Sequence, residues 1–230
     1  MFDYDWNWTI FFPHWRPLLR GVWVTLELSV FSAVFGTLLG FALAALMRAI
    51  PKRWMALPLR AFAFFTNDVL RAIPILVLLY AFYYFPYTPL LGIKPLEPFL
   101  AAVLALTLSQ AAFTADLVYS AVDRVNPRTI LAAQSLAIDD RTIFWHFIVP
   151  DIFRQTMPAL IAFWIGLVKL SSFASVIGCH DLVYVASVIG AQQYRSIEVW
   201  ALAAVVYAIL VVPTTILARY AENSAWMQRR

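Results

Sequence analysis

Arg128-Thr129-Ile130-Leu131-Ala132-Ala133-Gln134-Ser135-Leu136-Ala137-Ile138-Asp139-Asp140-Arg141 is the one long polar interruption in a chain of 230 residues that is 63% hydrophobic and 13% charged. Asn126 and Pro127 stand just ahead of it. A side-chain acceptor for free amides followed by a residue with preset φ and no N–H predicts a helix start at Pro127. That helix is too short to cross a bilayer, because Arg128, Asp139, Asp140 and Arg141 bracket about ten uncharged residues where about twenty are needed. The reading therefore places it at one membrane surface, offering a contact.

The rest of the chain is too apolar for an ordinary soluble domain and reads as an all-α, polytopic membrane protein. Residues 1–20 hold Trp6, Trp8, Phe11, Phe12, His14 and Trp15, the indole-rich kind of segment that settles at headgroup level. Asp3 and Asp5 with no basic partner argue against a cleaved secretory leader, whose start is positive. Five spans are expected: Val22 to Met47, an irregular one from about Leu59 to Tyr87 containing Pro74, Phe99 to about Tyr119, Phe153 to Ser172, and Val199 to about Ala218. Gly36 and Gly40 in the first have the small-xxx-small spacing that lets another helix approach closely. Ser175 to Arg195 is too polar, at Cys179-His180-Asp181 and Gln192-Gln193, for a lipid-exposed span.

Basic residues set the orientation. With the N-terminus outside, inner loops hold eleven (Arg48, Lys52, Arg53, Arg60, Arg124, Arg128, Arg141, Arg154, Arg219, Arg229, Arg230) against four outside (Arg16, Arg20, Lys94, Arg195). The surface helix then faces the cytoplasm, as does the tail 221–230. The net charge of +4 is spread over membrane-edge loops, unlike a nucleic-acid patch. A lone cysteine, Cys179, excludes an intrachain disulfide.

Charges inside spans are the candidate functional groups, since each costs about 2.5 to 3.5 kcal/mol at the bilayer centre. They are Glu27, Asp68, Arg71, Asp116 and Lys169. Asp68 and Arg71 share a helical face, so they either pair with each other or serve a permeating solute. Arg71 just before Ile73-Pro74 suits a carboxylate, because Pro74 opens the helix locally. Ser171, Ser172 and Ser175 are candidate hydroxyl partners, and Lys169 is either part of the path or an interface anchor.

The stretch quoted above closes with Phe147-Ile148-Val149-Pro150, and its spacing resembles the cytoplasmic loop of ABC importer permeases. That loop runs Glu-Ala-Ala, three residues, Gly, nine residues, Ile, one residue, Leu-Pro. Here the places hold Leu131-Ala132-Ala133, Ala137, Phe147 and Val149-Pro150, so the alanines, the proline and the spacing match while the glutamate and glycine are replaced. Lys169-Leu170-Ser171-Ser172-Phe173-Ala174-Ser175-Val176-Ile177-Gly178 is similar to the Lys-Asp-Thr-Ser-Leu-Ala-Ser-Val-Ile-Gly run of the polar amino acid permeases, with Leu170 in place of the aspartate. Gly21 to Ser29 is similar to that family's first helix, and Arg71 to Val77 to its Arg-Gly-Thr-Pro-Leu-Leu-Val run.

The resemblance implies a type I ABC importer fold: five transmembrane helices in a permease domain over 21–220, with a coupling loop at 124–150. It implies a permease subunit for a polar amino acid or derivative, opines included, in a bacterial cytoplasmic membrane. Implied partners are cytoplasmic ATP-binding subunits, a second permease subunit that makes a heterodimer, and an extracytoplasmic solute-binding protein. Leu131, Ala132, Ala133, Ser135, Ala137, Asp139, Arg141 and Pro150 are the implied coupling residues. Asp68, Arg71, Pro74, Lys169, Ser171, Ser172 and Ser175 are the expected solute path. No glycine is followed by lysine, so the phosphate-cradling loop of typical ATPases is missing, and ATP with Mg is expected on a partner. The alternatives are an ion-coupled secondary transporter, which usually shows paired halves, and a membrane-embedded enzyme, which needs a polar catalytic cluster.

Overall fold

Apolar runs of span length dictate helices here, since only a helix satisfies its own backbone in lipid. The computed structural model describes residues 6–50 and 57–222. Lys52, Arg53, Arg229, Arg230 and the tail beyond 222 lie outside the described residues, as does the side chain of Arg60. A short turn, Trp8–Ile10, is capped by Asn7, whose side chain accepts from Thr9 N. It runs into α1 (Phe11–Ala49). Residues 11–20, expected as an interfacial lead-in, continue unbroken into this helix, with Phe12 and Trp15 exposed.

Next come α2 (Leu57–Ala72) and α3 (Ile75–Tyr84), which meet at 101° across Ile73-Pro74. Pro74 cannot donate a helix hydrogen bond and holds Ile73 away from helical geometry, so the irregular second span is a broken one. A single turn, α4 (Tyr87–Leu91), ends at Gly92, whose φ of +67° favours a residue without Cβ. The third span is α5 (Pro98–Asp123).

After α5 comes the surface helix α6 (Pro127–Ser135), starting at the expected proline. Then α7 (Asp140–Ile143), a wider π turn (Phe144–Ile148), α8 (Val149–Leu170) and a tighter turn (Ser171–Ile177) follow without interruption. Together they make one 38-residue helix, Asp140–Ile177, which extends the expected fourth span at both ends. The polar segment after it holds only the 12-residue α9 (Leu182–Gln193). The last span is α10 (Ser196–Glu222).

α1 and α5 form the spine. A Cβ on Gly36 would come within 2.5 Å of the Gln110 side chain, and one on Gly40 within 2.4 Å of Thr114, so the two backbones meet where α1 has no side chains. Around that seam Leu28, Leu79, Leu106 and Leu167 form the central core. Met47, Val118 and Ile152 form a second cluster toward the α6 end, and Ile10, Ile189 and Val199 a third at the opposite end. The outer face of α10, with Val205, Ile209, Val212 and Ile216, remains exposed as a lipid- or protein-facing surface requires. Among the described residues, four continuous helices, with the bent pair counted as one span, match the five expected.

Candidate functional site

α6 sits at the end of the bundle where α1 and α5 finish. Arg48 Nη2 and Asp123 Oδ1, 2.8 Å apart, tie those two ends together, and Arg48 also donates to the Tyr119 carbonyl at 2.6 Å. Three residues of chain then lead to Pro127. Asn126 accepts from Arg128 N at 3.0 Å and starts α6. Its C-terminal end is closed by a pair of backbone bonds, Ala137 N to Gln134 O at 2.9 Å and Ile138 N to Ala133 O at 3.2 Å. This is a Schellman arrangement, and it needs a left-handed residue at Ala137, whose φ is +54°. Asp139 then accepts from Thr142 N at 2.9 Å and begins α7. Those Thr142 hydrogen bonds hold the Asp139 carboxyl below the usual carboxylate range.

Of the expected coupling residues, Leu131, Ala132, Ser135, Ala137, Asp139 and Arg141 are exposed. Ala133 is not: it is 4% exposed and faces the chain's own interior. Its small size seats α6, whereas Ala132 on the outer face is the alanine open to a partner. The Ser135 hydroxyl is taken up by the Leu131 carbonyl at 2.9 Å. Arg128, Ala132, Ala133, Leu136 and Phe147 line a depression of about 400 Å³ beside the helix, and Leu136 at its edge is 76% exposed. Pro150 follows the π turn inside the 38-residue helix, so its missing N–H falls where the regular ladder of hydrogen bonds is already interrupted.

The second group of candidates lies within the bundle. Arg71, in the last turn of α2, meets Asp116 of α5 at 3.0 Å, and Asp68 stands farther off at 3.9 Å. The sequence spacing offered Asp68 as one partner, and the structure adds a closer one from another span. All three are partly exposed, facing a side that the single chain leaves open. One turn along α5 from Asp116, Phe113 stacks on Phe163 with centroids 4.3 Å apart. These rings, with Ala159, Ala162, Gly166, Lys169 and Leu170, line an open cavity of about 570 Å³.

Lys169 is the one charged side chain on that cavity. The three serines each make a local bond. Ser171, Ser172 and Ser175 donate to the carbonyls of Val168, Lys169 and Ser172 at 2.9, 2.6 and 2.7 Å, which stabilises the tight turn. Glu27 is held by Trp23 Nε1 at 2.6 Å on its own helix. Two buried acids escaped sequence reasoning. Glu198 pairs with Arg195 Nη1 at 3.2 Å and accepts from Asn7 N at 3.3 Å. Asp181 caps α9 through Tyr184 N at 2.9 Å, while Leu182 N donates to Thr25 on α1 at 3.1 Å.

Residues 36–226 match the family described as binding-protein-dependent transport system inner membrane component. The chain is 32% identical over 219 residues to the octopine transport system permease protein OccM of Rhizobium radiobacter, covering 93% of this chain and 87% of that one. It is 30% identical over 213 residues to a putative glutamine transport system permease protein, GlnP, of Rickettsia conorii, covering 93% and 94%. It is 30% identical over 208 residues to the arginine transport system permease protein ArtQ of Bacillus subtilis, covering 90% and 91%. Among solved structures, an amino acid ABC transporter with histidines superposes with a TM-score of 0.83 at 25% identity, covering 95% of this chain and 99% of that one. The inward-facing MetNI methionine ABC transporter superposes with a TM-score of 0.71 at 24% identity, covering 91% and 96%, a likeness of fold.

Proposed function

This chain belongs to the family of binding-protein-dependent transport system inner membrane components, and from that premise we propose that it is a permease subunit of an ATP-driven importer for a polar amino acid or an opine-like derivative. As a transport component it is not itself an enzyme. The feature that carries the reading is α6: a short, capped helix outside the spans, with Leu131, Ala132 and Leu136 turned outward, continuing through one fold into the 38-residue helix. Such a surface suits a groove on a cytoplasmic ATPase, which holds ATP and Mg. Movement imposed on α6 passes through Asp139 and Pro150 into α8, where Phe163, Gly166 and Lys169 line the solute cavity.

The path supplies opposite charges to a zwitterion. Lys169 suits a carboxylate, and the Asp68–Arg71–Asp116 group has one negative charge in excess to meet an ammonium or guanidinium. The open sides of α8 and of α2 leave room for a second permease subunit, and an extracytoplasmic binding protein delivers the solute. The N-terminus lies outside and α6 inside, by the excess of inner basic residues. Names of the relatives place octopine, glutamine and arginine among the solutes to test.

Co-expression with its neighbouring transport genes is the test. The tagged chain should bring down an ATPase, and in proteoliposomes solute-loaded receptor should stimulate ATP hydrolysis together with uptake. Uptake that persists without ATP, driven by an ion gradient, overturns the reading.

A further inference from the structure

At the end of the bundle opposite α6, the loop 178–181 carries an acid with no cation to meet it. Asp181 is 0% exposed. α1 closes over it backbone to backbone: a Cβ on Gly21 would come within 2.9 Å of Leu182 Cα and 3.0 Å of the Asp181 carbonyl oxygen. Asp181 Oδ1 accepts from Tyr184 N at 2.9 Å, while Oδ2, equally buried, has no hydrogen-bond partner. The side chains around it are uncharged: Thr25 on α1, Tyr207 on α10 and Cys179 in the same loop. The Tyr207 hydroxyl, buried beside Thr25 and Asp181, also lacks a partner. Among the described residues no lysine, arginine or histidine pairs with Asp181. Arg20, beside Gly21, is exposed, and the exposed His180 stacks on Tyr184 with ring centroids 4.6 Å apart.

We propose that Asp181 binds a proton from the medium on that side of the membrane, and that the neutral carboxyl latches the far tip of the 38-residue helix to α1 and α10. An ionised carboxylate here loses its hydration and gains no cation in return. A proton on Oδ2 removes the charge and supplies an O–H that the Tyr207 oxygen can accept, so two groups without partners become one pair. Burial raises the Asp181 carboxyl to about 7, well above the usual carboxylate range. Below that usual range the latch contributes in full, and the contribution is lost as pH rises through about 7. The helix tip is reached through short contacts. Gly178, at φ +81°, ends the tight turn, Cys179 N donates back to Ala174 O at 3.2 Å, and Asp181 N donates to Cys179 O at 2.8 Å. Leu182 N, the next amide, donates to Thr25 Oγ1 at 3.1 Å. The pH of the medium thus sets how firmly α9 and the tip are held against the first and last spans.

The complete complex in lipid nanodiscs, without solute or ATP, is followed by amide hydrogen exchange over α9, corrected for the intrinsic rate. Protection should fall about tenfold between about pH 5.5 and about pH 8.5. Asp181→Asn and Asp181→Ser keep an oxygen that caps α9 and cannot titrate, so each should show the same protection at both pH values. His180→Gln, which changes the neighbouring imidazole alone, should keep the parent's fall. Equal protection of the parent at the two pH values overturns the proposal, and so does a fall that both cap variants keep or that His180→Gln abolishes. Because neither solute nor ATP enters the measurement, its failure leaves the transport reading standing, which fails instead if uptake proceeds without ATP.

Discussion

Arg71 Nη1 and Asp116 Oδ2 lie 3.0 Å apart and join the last turn of α2 to the C-terminal third of α5, directly before the 101° bend at Ile73-Pro74. The pair holds the broken span at its break. Arg71→Ala leaves Asp116 charged and alone within a span, and should abolish uptake while the complex still assembles. The reversal Arg71→Asp with Asp116→Arg should recover part of the loss, with a coupling of about 0.5–1.5 kcal/mol in a double-mutant cycle. Normal uptake by Arg71→Ala removes this pair from the pathway.

Ala137 occupies a left-handed backbone position, φ +54°, that L-residues with a Cβ enter at a cost. Ala137→Gly should stabilise the α6–α7 corner by about 1 kcal/mol. Slower amide exchange over residues 131–142 is the measurement, and Ala137→Val should speed that exchange.

Because Ala133 is buried and Ala132 exposed, the docking role is tested at Ala132. Ala132→Trp should insert and fold normally, yet hydrolysis should run without uptake or the ATPase should fail to co-purify. Ala133→Trp should destabilise the corner itself, visible as rapid exchange of α6 amides in the absence of any partner.

Asp139 caps α7, and its carboxyl is held below its ordinary range by the Thr142 bonds. The sign follows from that depression: the cap contributes above the ordinary carboxylate range and is lost as pH falls through the lowered value. Proteolysis near Arg141 should accelerate in acid, and Asp139→Ala should show the fast rate already at neutral pH.

Lys169 is the one cation on the Phe113–Phe163 cavity. Lys169→Gln should raise KM for solutes with a carboxylate at least tenfold, in line with the roughly 1.5–3 kcal/mol of a charged hydrogen bond. Stimulation of hydrolysis by the loaded receptor should change less. A parallel fall in both would assign Lys169 to assembly.

The fold was legible because a bilayer imposes a simple code: long apolar runs, basic loops, and at Pro74 a proline that breaks the second span. The rough extents of α5 and α10 followed from it, and so did the irregular second span, while Asn126-Pro127 marked the start of α6. Pairing across spans was not legible. Asp116 stands 45 positions from Arg71, and no periodicity predicts that α2 and α5 cross there. Ser171, Ser172 and Ser175 also donate to carbonyls within a tight turn, a local use that the sequence pattern did not announce. Alanine at position 137 concealed its geometry, since the residue type that normally announces a left-handed turn is glycine.

The unbroken run from Asp140 to Ile177 has a mechanical corollary. Thirty-eight residues at 1.5 Å each make a rod of about 57 Å, longer than the hydrocarbon it crosses. A tilt of roughly 5° about one tip sweeps the other through about 5 Å, enough to open or shut a gap the width of an amino acid side chain. A small rotation under the cytosolic end thus arrives magnified at the far leaflet, with no need for any residue in between to unfold.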